Sequence, residues 1–276
     1  MLIRLFLLLP LLWAPLVQAQ VNIEKLRTEP TDNGISGSFS LASTFSRGNI
    51  DFADFALGSF VAHKRGKYTT FLVTNGRFAA KRTQGDYLLS PDVELWDDEA
   101  HFSYNALSHL RTNYDLGHDL ALELYGQYEF NEFLLLDRRV LVGSGIRYKV
   151  CEGKHGGFWF GTSGMLEMER LSPDAIAASE PVDQQHWRWS SYGTAKTILS
   201  QTSTWITTVY YQPRIDEFSD YRVVGETGLS FAIDERFSFS VDARLRHDSA
   251  PPATADGVAA VVPTDIGVKN AISVSW

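Results

Sequence analysis

Gly267-Val268-Lys269-Asn270-Ala271-Ile272-Ser273-Val274-Ser275-Trp276 alternates strictly along its length. Val268, Asn270, Ile272, Val274 and Trp276 form one set, and Gly267, Lys269, Ala271, Ser273 and Ser275 form the other. Successive side chains of a strand point to opposite faces, so this stretch has one mostly apolar face and one small, polar face. Such a strand closing on an aromatic residue, in a chain that opens with an export signal, predicts a bacterial outer-membrane β-barrel.

The export signal is read at the other end. Met1 to Arg4 is weakly basic, Leu5 to Val17 is apolar apart from Pro10 and Pro15, and Val17-Gln18-Ala19 is a small-x-small cleavage site. Residues 1–19 are therefore predicted to be a cleavable signal peptide, with Gln20 as the mature start. The apolar run is shorter than the roughly 18 residues of a spanning helix, and no second run reaches that length. Residues 20–33 read as a short periplasmic segment and residues 34–276 as the barrel. No cysteine lies near the cleavage site, which argues against a lipid anchor. The single Cys151 cannot form an internal disulfide and is expected to be a buried or membrane-facing thiol.

Composition suits this class. Apolar residues make up only 44% because the two faces of each strand average out, while aromatics reach 13%, as interfacial girdles require. Without Arg4 the chain carries 24 basic against 33 acidic residues, a net charge of −9 that argues against nucleic acid as a partner.

Working back from the final stretch, twelve strand-like segments can be counted: near 35–46, 52–64, 67–81, 101–114, 118–130, 138–151, 157–169, 186–199, 204–214, 220–233, 236–247 and 264–276. Each can span a membrane, which takes about 9–11 tilted residues. In the eleventh, Phe237, Phe239, Val241, Ala243 and Leu245 oppose Ser238, Ser240, Asp242, Arg244 and Arg246. The second and third segments carry apolar residues on both parities, so their facing stays open. The fold class predicted is all-β: a closed antiparallel up-and-down transmembrane barrel of about twelve strands.

The connections carry a separate signal. Lys64 to Lys67, Asp115 to Gly117, Glu152 to His155, Ser200 to Ser203 and Asp234 to Glu235 stay short. The alternate set, Ser46 to Asp51, Arg82 to Ala100, Asn131 to Asp137, Arg170 to Gln185, Ile215 to Ser219 and Asp248 to Pro263, varies and is often long. Short periplasmic turns opposite longer external loops are the pattern of outer-membrane barrels, and a soluble sandwich would not sort its loops this way. Aromatics gather at segment ends: Phe45, Phe102, Phe130, Trp187, Trp189, Tyr211 and Tyr221 at the outer interface, Trp205, Phe237 and Trp276 at the inner. Trp276 is expected to be an assembly signal read by barrel-assembly machinery, on a last strand that pairs with the first near Gly37 to Phe45.

Parity places Arg111, Glu123, Glu129, Arg147, Lys149, Glu167, Arg188, Lys196, Arg222, Glu226, Asp242, Arg244, Arg246 and Lys269 inward. Eight-stranded barrels are filled by side chains and barrels of sixteen or more hold a wide channel, so twelve strands leave two readings open. Such charges either set the selectivity of a narrow pore or form a salt-bridged plug. The expected role is a narrow passive channel for ions or small polar solutes, or envelope adaptation to salt or stress, without catalytic residues. Two alternatives differ in class. A lipid acyl hydrolase would use His247 and Ser249, on the outward parity at the external end of a strand; His101-Phe102-Ser103 points inward and suits lipid poorly. A structural barrel without transport would need only its surface loops. Asp97-Asp98-Glu99 with Asp86, Asp92 and Glu94 is an acidic loop without ligand spacing, so neither metal nor cofactor is predicted. The expected partners are outer-membrane lipid and lipopolysaccharide.

Several stretches together resemble one family. Val21-Asn22-Ile23-Glu24 with Arg27, Gly37 through the Arg47-Gly48-Asn49 turn, and Arg111-Thr112-Asn113-Tyr114 match it. So do the Gly143-x-Gly145 strand with Tyr148, and Arg246-His247-Asp248-Ser249 before Pro251-Pro252. The whole mature region resembles the exported barrel family known as domain of unknown function 481, some of whose members are labelled salt-induced outer-membrane proteins. The resemblance implies an outer-membrane barrel and no settled activity.

Overall fold

In the chain's computed structural model, residues 33–46, 50–83, 101–253 and 261–276 are described. The predicted signal peptide and nearly all of the short lead lie outside these residues, as do the Arg47-Gly48-Asn49 turn and the acidic loop from Asp86 to Glu99. Twelve antiparallel strands close into one barrel, each paired with its neighbour in the chain and β1 with β12. They are β1 Gly34–Ser46, β2 Ile50–Arg65, β3 Tyr68–Thr83, β4 His101–Gly117, β5 Leu120–Asn131 and β6 Leu136–Gly153. The circuit continues with β7 Gly156–Leu171, β8 Asp183–Ile198, β9 Ser203–Pro213, β10 Tyr221–Ala232, β11 Phe237–Asp248 and β12 Thr264–Ser275.

Alternation fixes which residues face out. Leu57, Leu124 and Val268 are 64%, 58% and 59% exposed, while their chain neighbours on the opposite parity turn inward. Among the described side chains, no Asp, Glu, Lys or Arg stands at an outward position in the middle of a strand. An apolar exterior of this kind suits hydrocarbon, where closure is obligatory because lipid cannot hydrogen-bond a strand edge. Trp187, Trp189 and Tyr211 are exposed near one rim and Trp205, Phe237 and Trp276 near the other, as girdle residues are.

The open facing of the second and third segments is settled by register. Asp54, Ala56, Phe60 and Ala62 of β2 and Phe71, Val73, Arg77 and Ala79 of β3 are buried, with Leu57, Val61 and Leu72 outside. Phe60, Ala62, Phe71 and Val73 make an apolar cluster on the inner face, which explains the apolar residues on both parities.

Connections form a short-turn end, with two to four residues each, and a long-loop end that varies from three residues between β1 and β2 to 17 between β3 and β4. One turn moves: β4 runs on to Gly117, and His118-Asp119 makes the turn with φ of 53° and 62°. Two consecutive left-handed residues match the twist of the flanking strands. A bulge at Asp115/Gly117 supplies the extra residue. In the turn after β10, the Phe237 and Arg236 N–H groups hold the Asp234 carboxyl below the usual carboxylate range. Cys151 is exposed opposite Phe158, near the short-turn end.

The β1–β12 closure is made near the short-turn end. Ser38, Phe39, Ser40 and Leu41 pair with Ser275, Val274, Ser273 and Ile272. Gly37 and Trp276 then exchange two backbone hydrogen bonds of 3.1 and 3.0 Å. The Trp276 ring lies over Gly37, where a Cβ would come within 2.4 Å of it, and stands 4.8 Å from the Phe39 ring.

Candidate functional site

The inner faces of β5 to β8, with those of β10 and β11, hold a belt of charge near the long-loop end. Arg222 on β10 reaches across two intervening strands to β7, with Nη1 2.5 Å from Glu167 and 2.9 Å from Glu169. Its Nε also donates to Asp248 at 2.9 Å, and Arg246 donates to the same carboxylate at 2.9 Å. Arg188 sits 2.7 Å from Glu167 and 3.0 Å from Asp220. Arg139 bonds Glu169 and lies 3.4 Å from Glu129. Four guanidinium groups thus meet Glu129, Glu167, Glu169, Asp220 and Asp248, with Asp265 3.8 Å from Arg246. Glu129 and Glu167 are 1% exposed and Arg188 is 2% exposed, so these three side chains are packed away from the open bore.

A second bridge lies deeper. Glu123 on β5 accepts a 2.9 Å hydrogen bond from the Tyr192 hydroxyl on β8 and pairs with Arg111 on β4 at 3.3 Å. The Arg111 guanidinium stands 5.0 Å from the centre of the Tyr125 ring, close enough for a cation–π contact. Inward glycines make the room. A Cβ on Gly143 would lie 2.3 Å from the Tyr125 ring, and one on Gly161 would lie 2.2 Å from the Tyr192 ring. The Gly143-x-Gly145 pattern therefore has a steric cause at each position: Gly143 clears the Tyr125 ring, and a Cβ on Gly145 would lie 2.2 Å from the Thr162 carbonyl oxygen of β7.

The remaining wall differs. Ala232, Ser238, Ser273, Ser40 and Gly58 follow one another across β10, β11, β12, β1 and β2. Ser38, Ser40, Ser230, Ser238 and Ser273 are half-buried on the inner face, so this side of the bore stays accessible. Besides Arg222, Arg246, Asp248 and Asp265 of the belt, it carries Arg244, 3.2 Å from Glu226, and Lys269, opposite Asp242 in register.

The candidate residues divide among these regions. Glu129, Glu167, Arg188, Arg222 and Arg246 lie in the belt, and Arg111 and Glu123 in the deeper bridge. Arg147 lies over the Trp159 ring at 5.2 Å. Glu226, Asp242, Arg244 and Lys269 line the small-residue wall, and Lys196 is half-buried on β8. Lys149 sits at the short-turn rim, 2.8 Å from Glu152 and 3.6 Å from Asp119. Seven ion-pair partners inside the barrel were absent from the inward set read from sequence: Asp54, Arg77, Arg139, Glu169, Asp220, Asp248 and Asp265. Arg77 and Asp54 form a buried ion pair between β3 and β2. Arg139 and Glu169 share parity with Arg147 and Glu167, a signal that was present.

A lid of packed loops stands at the same long-loop end as the belt. Leu134, Leu136, Leu171 and Ile176 form a buried apolar cluster, with Leu135, Val182 and Val261 packed against it. Val261 precedes β12 and Leu134 precedes β6, so the contact joins loops from opposite sides of the circuit. Ala177 N–H donates to the Ala253 carbonyl at 2.9 Å, tying the β7–β8 and β11–β12 loops together.

The hydrolase pair is occupied otherwise. His247 Nδ1 is 2.8 Å from the Thr264 hydroxyl, while the Ser249 hydroxyl donates to the Ser219 carbonyl at 2.8 Å and accepts from Tyr221 N–H at 2.7 Å. Among the described residues, no group of three or more His, Cys, Asp or Glu is arranged to hold a metal ion.

A family model described as "Protein of unknown function, DUF481" matches residues 46–259. Comparison with curated proteins returned no match. Among solved structures, a NanC porin is similar at 7% identity and a TM-score of 0.45, over 88% of this chain and 98% of that one. A KdgM porin is similar at 9% identity and 0.42, over 87% and 99%. The anion-selective porin from Comamonas acidovorans is similar at 9% identity and 0.37, over 89% and 100%.

Proposed function

The chain belongs to the DUF481 family of proteins of unknown function, and from that premise we propose that it is an outer-membrane channel with a narrow, off-centre path for ions and small polar solutes. The observation that carries this reading is the asymmetry of the bore. Large charged side chains fill it against β4 to β8 and at the belt end of β10 and β11, while half-buried serines line the rest of β10 to β12 and β1. The path follows the serines. Glu226, Arg244, Asp242 and Lys269 give it two charges of each sign, so selectivity between cations and anions is weak. The apolar exterior and the sorted loop lengths support the outer membrane as its site, with the short turns in the periplasm and the lid outside. Lipopolysaccharide then faces the long loops, and residues 1–19 act as the cleaved export signal.

Purified barrel in a planar bilayer tests the reading. Small, weakly selective openings are expected, and a barrel that gives none refutes it. Unchanged salt tolerance in a strain lacking the protein would leave passage, not envelope adaptation, as its role.

A further inference from the structure

The short-turn end of the lumen holds a cluster that neither the belt nor the serine wall uses. Trp187, Trp189, Trp205 and Trp276 face outward, whereas Trp159 of β7 has the inward parity of Gly161 and Glu167 and is half-buried. Its ring turns back over Gly157, where a Cβ would lie 2.7 Å from Cη2 and 3.1 Å from Cζ2. Both atoms stand on the Nε1 side of the indole, so the N–H edge is brought toward the same spot. In register, Gly157 is opposite Lys196 of β8, and Trp159 is opposite Lys149 of β6. Opposed residues of an antiparallel pair hold their Cβ atoms about 4.5–5.5 Å apart, so an edge that fills the place of a Gly157 Cβ lies beside Lys196.

The polar groups of this cluster are unequally engaged. Lys149 is held by Glu152 at 2.8 Å and Asp119 at 3.6 Å, and the Arg147 guanidinium stands 5.2 Å from the centre of the Trp159 ring. Glu123, the inward carboxylate of the adjoining β5, is bonded by Arg111 and Tyr192. Lys196 is inward and half-buried, yet it forms no hydrogen bond or ion pair with a described residue. Neither does the indole N–H of Trp159, although those of Trp189 and Trp205 donate to Thr162 and Thr227. One ammonium, one indole N–H and one aromatic face thus share a patch of the inner wall with no acceptor from the described protein.

We infer that this patch is a binding site for small organic carboxylates at the short-turn mouth. The carboxylate accepts from the Lys196 ammonium and the indole N–H, and a ring attached to it stacks on the Trp159 face. Each part has a physical reason. Hydrogen bonds from an ammonium to a carboxylate are charge-assisted and stronger than neutral ones. Offset aromatic pairs gain energy beyond the area they bury. Arg147 adds positive potential that draws an anion into the mouth. A neutral ring meets only the indole and a small anion only the charge, so the site favours solutes that carry both. The inference rests on the channel reading only in needing a mouth open to solvent.

The full barrel in detergent is titrated with para-fluorobenzoate, and binding is read from the fluorine NMR linewidth. Para-fluorobenzamide keeps the ring without the charge, and fluoroacetate keeps the charge without the ring. Each is expected to bind roughly tenfold more weakly than para-fluorobenzoate. Lys196→Met takes away the ammonium without breaking a bond to the described protein. It is expected to lower para-fluorobenzoate to the level of the amide, with the urea midpoint unchanged. Trp159→Leu is expected to lower it to the level of fluoroacetate, and Trp159→Phe replaces that variant if it fails to assemble. Equal affinity in the parent and Lys196→Met assigns the signal to the micelle and overturns the site. Amide bound as tightly as benzoate also overturns it, as does parent-level affinity in the Trp159 variant. Conductance is recorded separately on the parent. A silent barrel that binds para-fluorobenzoate sinks the channel reading and leaves the site standing; a conducting barrel that does not bind it removes the site alone.

Discussion

The inner faces of β5 to β8 and of β10 to β12 with β1 share one lumen and are built from opposite materials. The first presents Glu123, Tyr125, Glu129, Arg139, Glu167 and Arg188, all buried. The second presents Ser230, Ser238, Ser273 and Ser40, all half-buried, and carries heavy charge only where Arg222, Arg246 and Asp248 of β10 and β11 join the belt. Strand number sets a barrel's circumference, but side-chain volume sets its bore. A twelve-stranded wall could serve either as a pore or as a plug, and this chain builds both in one cross-section. The heavy wall need not stabilise the fold, since a buried ion-pair network is weak evidence of stability; what it determines is where the open space lies.

The sharpest way to break the contrast is Arg222→Ala. It leaves Glu167, Glu169 and Asp248 without the cation that joins them, at a cost of about 3–5 kcal/mol. A lower urea midpoint and a larger conductance are expected; an unchanged midpoint would mean that packing, not charge, holds the heavy wall. Ile176→Ala takes the buried anchor from the lid and costs about 2–4 kcal/mol, felt locally. Faster proteolysis within residues 172–182 and longer open times check it. Tyr192→Phe removes one hydrogen bond to a carboxylate, worth roughly 1.5–3 kcal/mol. Its expected signature is a modest drop in midpoint with little change in conductance, because the light wall is untouched. Ser273→Trp reverses that signature: stability moves by less than about 1 kcal/mol while conductance falls steeply. Equal conductance before and after would show that solute does not pass along the serines.

The fold was legible because a strand's period of two survives even where composition is bland, and because loop length sorted by parity. Inward charges were legible for the same reason. Their pairing was not, because contacts such as Arg222–Glu169 join strands that are not neighbours and depend on register summed around the barrel. Asp54 and Arg77 were hidden by the apolar inner cluster of Phe60 and Phe71, which blurs the alternation of β2 and β3. Asp248 read as loop because prolines follow it, yet it closes β11. The lid was missed although Leu134-Leu135-Leu136 is an apolar run between strands, an arrangement that solvent alone does not explain.

The link from Arg222 to Glu167 and Glu169 has a mechanical meaning as well. A cylinder of strands held only by its ladders can flatten into an ellipse with little loss of hydrogen bonding. Side chains that tie β7 to β10 and β5 to β8 act as struts across such a cylinder. Lateral pressure from the bilayer is then resisted along those two chords. Deformation is left to the arc from β11 through β12 and β1 to β3, which neither chord spans, so a change in membrane tension or thickness would act first on the shape of that arc.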